Sequence, residues 1–125
     1  MTPLLRPEAR WRPPRLKFAQ TTPAVLRFQS GRRVRGKLQV VSVTGGLLCL
    51  PSSLDQGARA KLMFLMQNGT VLGTAEMLLP VSSTLQPFRF VAIGKEDQSR
   101  LQDAIRSSAD QDRQEQQSII RERAW

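Results

Sequence analysis

The sequence predicts a mainly β domain, an antiparallel barrel or sandwich, followed by one C-terminal helix. Two observations support this prediction. Short apolar segments separated by turn signals recur from residue 24 to residue 93. After Gly94 the pattern changes to a long polar stretch without Gly or Pro. A length of 125 residues favours a single domain with one core.

The first element is a basic arm over residues 1–22. Four prolines lie among four arginines in residues 1–15, and this density disfavours a regular helix. A β-barrel with the start of the C-terminal helix is expected over residues 23–106. Its six predicted strands cover residues 24–30, 33–43, 47–50, 58–66, 70–79 and 88–93.

The pair Asn68–Gly69 predicts a tight hairpin between the fourth and fifth strands, because both central residues of a type I′ turn need positive φ. The helix is predicted from Leu101 and Ile105, spaced i, i+4, and from the acids Glu96 and Asp97 in its first turn. Residues 107–125 are predicted to be a polar helical or frayed tail, with a disordered tail as the alternative.

The net charge of +9 is unevenly distributed along the chain. Residues 1–37 hold ten basic residues and one acid, whereas residues 38–125 hold nine of each. All the excess positive charge is therefore in the first third. Such a field predicts an anionic partner: nucleic acid, a phosphorylated small molecule or a membrane surface.

Composition argues against an enzyme. The chain has no histidine and one cysteine, Cys49. This excludes a Ser-His triad and disfavours a structural zinc site, so neither catalytic nor metal-binding residues are predicted. No apolar run is long enough for a transmembrane segment, and the N-terminus lacks a secretory h-region. These features predict a cytoplasmic protein.

Residues 36–66, GKLQVVSVTGGLLCLPSSLDQGARAKLMFLM, resemble the core of PilZ domains. That family carries an Asp/Asn-x-Ser-x-x-Gly motif on a strand, and Ser42 and Gly45 stand at its serine and final glycine. Residues 88–105, FRFVAIGKEDQSRLQDAI, are similar to the family's last strand and C-terminal helix. The resemblance implies a six-stranded antiparallel split β-barrel with a C-terminal α-helix.

PilZ domains are mostly bacterial receptors for cyclic di-GMP, so the resemblance implies this ligand and no other cofactor. The implied ligand-binding residues are Arg10, Arg12, Arg15, Ser42 and Gly45. Guanidinium groups bind phosphates and guanine edges in a fork, and glycine lets backbone approach a flat base. The chain departs from the family pattern in two places. Val40 replaces the acidic or amide residue, and Arg12 and Arg15 are one residue closer than in Arg-x-x-x-Arg.

Alternatives exist at the level of residues and of function. If the arginines do not bind a ligand, they form a solvated basic tail. In the same case, Ser42 and Gly45 are ordinary turn residues. The preferred function is a cyclic di-GMP receptor that signals through an unidentified protein partner. The alternative is a degenerate PilZ domain that acts as a nucleotide-independent adaptor of the pilus or motility type. Nucleic acid is disfavoured as a partner, because few aromatic residues interleave with the basic ones.

Overall fold

The computed structural model describes residues 14–108. Its strands are β1 (Leu16–Arg27), β2 (Arg33–Val41), β3 (Gly45–Cys49), β4 (Arg59–Met66), β5 (Gly69–Met77) and β6 (Leu85–Ile93). Helix α1 follows over residues 95–108. The strands form a closed barrel in the order β1-β2-β3-β6-β5-β4, and every pair is antiparallel. The expected barrel with a C-terminal helix is confirmed.

Alternation along β4 separates the core from the outer wall. Ala60, Leu62, Phe64 and Met66 are buried, whereas the residues between them are exposed. This follows from the strand geometry, in which successive side chains point to opposite faces of the sheet. Met63 belongs to an apolar run that favours burial, yet it lies on the outside of the barrel with 44% of its surface exposed.

Helix α1 packs against the core through the two apolar residues whose spacing predicted the helix. Leu101 and Ile105 are both buried in the hydrophobic cluster of the barrel. Polar contacts attach the helix to the β4–β5 hairpin. The Arg100 guanidinium donates to the Thr70 carbonyl at 2.6 Å, and Asp97 accepts from the Leu72 N–H at 3.0 Å. Residues 109–125, most of the predicted tail, lie outside the described residues.

The β4–β5 hairpin is present, but its turn differs from the predicted one. Met66 pairs with Gly69, so the two connecting residues are Gln67 and Asn68. Gly69 has φ +128°, whereas no non-glycine among the described residues has positive φ. The predicted type I′ turn centred on Asn68 and Gly69 is therefore wrong. Of this pair, only Gly69 adopts the backbone conformation that favours a glycine.

Strand β1 begins earlier than its apolar pattern predicts. It starts at Leu16, so the expected arm boundary at residue 22 falls inside the strand. Lys17 pairs with Val40 and Thr22 pairs with Leu38, which leaves several extra residues of β1 opposite one residue of β2. Such an irregularity bends a strand and interrupts the alternation of apolar and polar residues by which a strand is recognised in a sequence. Residues 1–13 of the arm lie outside the described range.

Closure of the barrel depends on two glycines of β3. A Cβ at Gly45 would overlap the Phe88 carbonyl of β6, and a Cβ at Gly46 would overlap the Val40 carbonyl of β2. The Gly46 Cβ would also lie 3.1 Å from the Phe88 ring. Neither glycine has positive φ. The pair is therefore needed for the close approach of three strands and not for turn conformation.

We expect Gly46→Ala to destabilise the protein by roughly 1–3 kcal/mol, the cost of forcing extra volume into a packed site. Urea unfolding measures this change in the free energy of unfolding. Ala92→Val is the control, because it adds volume at an exposed position of β6. A Gly46→Ala protein as stable as the wild type would contradict the steric explanation.

Candidate ligand-binding cleft

A cleft of about 410 Å³ opens beside the β2–β3 hairpin. The end of β2, the turn that follows and the start of β3 line one part of it. The connection after β5 and residues 87–89 of β6 line another. Its lining consists of Val40, Ser42, Thr44, Gly45, Gly46 and Leu47 from the hairpin, Leu78, Val81, Pro87, Phe88 and Arg89 from the second group, and Arg15.

Arg15 reaches this cleft because of the pairing between β1 and β2. Leu16 lies opposite Val41 in the antiparallel register, so the preceding residue, Arg15, arrives beside Ser42. Arg15 is exposed, and it forms no ion pair with an acid in the part of the chain that the structure describes. Its guanidinium group is therefore available to an anion in the cleft.

Ser42 shapes the turn of the hairpin. Its N–H donates to the Gly45 carbonyl at 2.7 Å, and its Oγ accepts from the Thr44 N–H at 3.3 Å. The Oγ also lies 3.1 Å from Thr44 Oγ1 and 3.3 Å from the Gly45 carbonyl oxygen. With 6% of its surface exposed, Ser42 is mostly occupied by these bonds. The more accessible hydroxyl at this end of the cleft belongs to Thr44, which is exposed.

Arg89 supplies a second positive charge to the cleft. It lies opposite Gly45 across the β3–β6 pair. Its Nε donates to Glu76 Oε2 at 2.7 Å, so part of its charge is neutralised. Glu76 also lies 3.9 Å from the Arg59 guanidinium. One carboxylate thus serves two arginines, which leaves the site with a net positive field.

The remaining lining is apolar or backbone. Val40 is half-buried and offers no side-chain hydrogen bond at the position where the PilZ motif has an acid or amide. The segment that carries Leu78 is held by Gln86, whose Nε2 donates to the Leu78 carbonyl at 2.6 Å. Gln86 also accepts from the Leu54 N–H at 2.6 Å, and it is completely buried. This internal cross-link keeps that wall of the cleft in position.

Three of the five residues predicted for ligand binding line this one cleft: Arg15, Ser42 and Gly45. Arg10 and Arg12 lie outside the described residues, so their place relative to the cleft stays a prediction. Sequence reasoning missed Arg89 and Thr44. Thr44 stood inside the motif and was a visible candidate. Arg89 had no local signal, because only the register of β3 against β6 brings it to the site.

Residues 14–108 lack two further features. No group of three or more His, Cys, Asp or Glu side chains is arranged to hold a metal ion there. In that same range, no helix has both the length and the apolar character that crossing a membrane requires.

Comparison with known proteins finds similarity in structure but not in sequence. No family model matches the chain, and no curated protein matches it in sequence. Among solved structures, the chain is similar to the PilZ domain of YcgR from Escherichia coli with cyclic di-GMP. The TM-score is 0.68 at 20% identity, over 86% of this chain and 98% of that one.

Two longer proteins share the architecture. The inhibitor of motility MotI from Bacillus subtilis matches with a TM-score of 0.62 at 16% identity, over 80% of this chain and 53% of that one. MrkH of K. pneumonia in its apo state matches with a TM-score of 0.66 at 19% identity, over 85% and 55%. The chain thus spans about half the length of these two proteins. The fold of this chain, a closed six-stranded barrel followed by a helix, is that of the PilZ domain.

Proposed function

We propose that the cleft binds cyclic di-GMP and that the protein is a receptor module which passes this signal to a protein partner. The observation that carries the proposal is the meeting of Arg15, Ser42 and Gly45 around one cleft of about 410 Å³. The likeness in fold to the YcgR domain solved with cyclic di-GMP supports the choice of ligand.

The chemistry of the cleft suits this ligand. Cyclic di-GMP presents two phosphodiester charges and two flat guanines. A guanidinium group bonds a phosphate or the O6 and N7 atoms of guanine with two parallel hydrogen bonds, so Arg15 and Arg89 fit either part. Gly45 and Gly46 line the cleft with backbone alone, which is a surface against which a planar base can pack.

The basic arm is the element that ligand binding would order. Arg10 and Arg12 precede Arg15 by a few residues, within reach of the same ligand. Bound phosphates would draw these arginines together and hold the arm against the barrel. A segment that becomes ordered on binding presents a new surface, and this is a recognised way to switch a partner interaction.

A second candidate function is a nucleotide-independent adaptor. Two observations favour it: the apolar Val40 at the motif's acid or amide position, and the internal hydrogen bonds that occupy Ser42. In this function the barrel contacts its protein partner equally well with and without nucleotide. Both candidates describe a binding module, and the absence of enzymatic activity stays a prediction.

Titration of the full chain with cyclic di-GMP in a calorimeter tests the receptor function. We expect saturable binding that Arg15→Ala weakens by roughly 1.5–3 kcal/mol, the value of a hydrogen bond to a charged group. Lys17→Ala is the matched control, because Lys17 is a nearby exposed cation that does not line the cleft. Absence of binding heat at tens of micromolar ligand, with the protein folded, would remove the receptor function and leave the adaptor.

Substitution of Val40 by asparagine restores the amide of the family motif. If the cleft holds the nucleotide, Val40→Asn should tighten binding by roughly 0.5–1.5 kcal/mol, the net value of one added hydrogen bond. Val91→Asn is the control, since Val91 is a half-buried strand valine away from the cleft. Equal effects of the two variants on affinity would argue against a ligand contact at residue 40.

The ion pair between Glu76 and Arg89 competes with any anionic ligand for that arginine. We expect Glu76→Gln to strengthen cyclic di-GMP binding by about 0.2–1 kcal/mol, the usual size of an exposed ion pair. The gain should shrink at high salt because screening weakens such charges. The control is Glu96→Gln, the same charge change on α1. Weaker binding by Glu76→Gln would show that Arg89 does not contact the ligand.

A further inference from the structure

One side of the barrel carries cations without acids. Strands β2, β1 and β4 are neighbours in the barrel wall. Their sequences contain no Asp or Glu. The seven basic residues of these strands are Lys17, Arg27, Arg33, Arg35, Lys37, Arg59 and Lys61. Folding therefore turns the charge asymmetry of the sequence into a positive outer face.

Three of these cations stand directly opposite one another. Arg33 is paired with Arg27 across β2 and β1, and Arg27 is paired with Lys61 across β1 and β4. Like charges that face each other across strands are destabilising. None of the three forms an ion pair with an acid of residues 14–108. These repulsions lower the stability of the free protein. An anionic partner that neutralises the three charges would remove that cost and explain why they lie together.

Large apolar side chains adjoin the cations on the same outer face. Met63, Leu65 and Leu72 are 44%, 56% and 45% exposed. Met63 lies opposite Leu72 on one side and opposite Val25 on the other, so the apolar residues form a continuous row across three strands. Exposed apolar groups that adjoin each other mark an interaction surface.

We propose that the basic and apolar face of β2, β1 and β4, extended by Leu72 of β5, docks on an anionic lipid bilayer. Headgroups neutralise the row that contains Arg27 and Lys61, while Met63 and Leu65 enter the boundary between headgroups and acyl chains. Nucleic acid would satisfy the cations but would leave the apolar row in water.

The face is separate from the nucleotide cleft. In the barrel order, β1 and β4 lie across the barrel from β3 and β6, the strands that hold the Gly45 side of the cleft. A molecule docked through Arg27 and Met63 therefore leaves the cleft open. The inference does not depend on the proposed function, and it is tested without nucleotide.

Co-sedimentation of the full chain with phosphatidylcholine vesicles, with and without phosphatidylserine, tests the proposal. We expect binding only to the phosphatidylserine vesicles. Arg27→Gln/Lys61→Gln should weaken it about twenty-five-fold, since each cation near such a surface contributes about five-fold. Lys95→Gln/Arg106→Gln removes the same charge from exposed positions of α1 and should leave binding nearly unchanged.

The apolar part of the face is tested with Met63→Ser/Leu65→Ser. This variant should lose vesicle binding at high salt, where the electrostatic attraction is screened and apolar insertion remains. Equal binding to neutral vesicles, or equal losses in the two charge variants, would overturn the proposal. A third result would also overturn it: the protein does not bind the vesicles but binds a single-stranded oligonucleotide. In that case binding would require Arg27 and Lys61 but not Met63 and Leu65.

Discussion

Gly45 and Gly46 pack against the backbones of the strands on either side, and this close contact underlies the closed barrel. Strand β3 has only five residues, yet it must join β2 to β6 to close the barrel. Because no Cβ fits between β3 and the carbonyls on either side, the strands approach more closely here than side chains would allow. The same bare backbone lines the cleft. Barrel closure and the shape of the candidate site therefore have one cause.

Electrostatics divides the barrel into two positive regions linked by one acid. Glu76 is the only carboxylate in the six strands. It bonds Arg89, which lines the cleft, and lies near Arg59 at the edge of the basic outer face. An anion that binds either arginine competes with Glu76 for it. The two regions are therefore coupled through a shared counter-charge, although they lie on different strands of the barrel.

The hairpin after β2 shows how one residue pattern serves structure and site together. Ser42, Thr44 and Gly45 satisfy one another's hydrogen bonds and close a tight connection. The same closure leaves Thr44 exposed and places Gly45 and Gly46 in the lining of the cleft. Turn chemistry and ligand binding are thus compatible roles for this stretch, and the structural role is present without any ligand.

Local periodicity and composition were enough to predict several features of this protein. The β4–β5 hairpin, the Leu101 and Ile105 spacing in α1 and the basic first third were all predictable, because each depends on residues within one segment. Which segments lie beside each other could be read from the folded chain alone. The register that brings Arg15 beside Ser42 and Arg89 beside Gly45 joins residues far apart in the chain, and no local pattern encodes it. A glycine needed for close strand approach, such as Gly46, looks identical in sequence to one needed for a turn, such as Gly69, because the difference lies in the neighbouring strands and in φ.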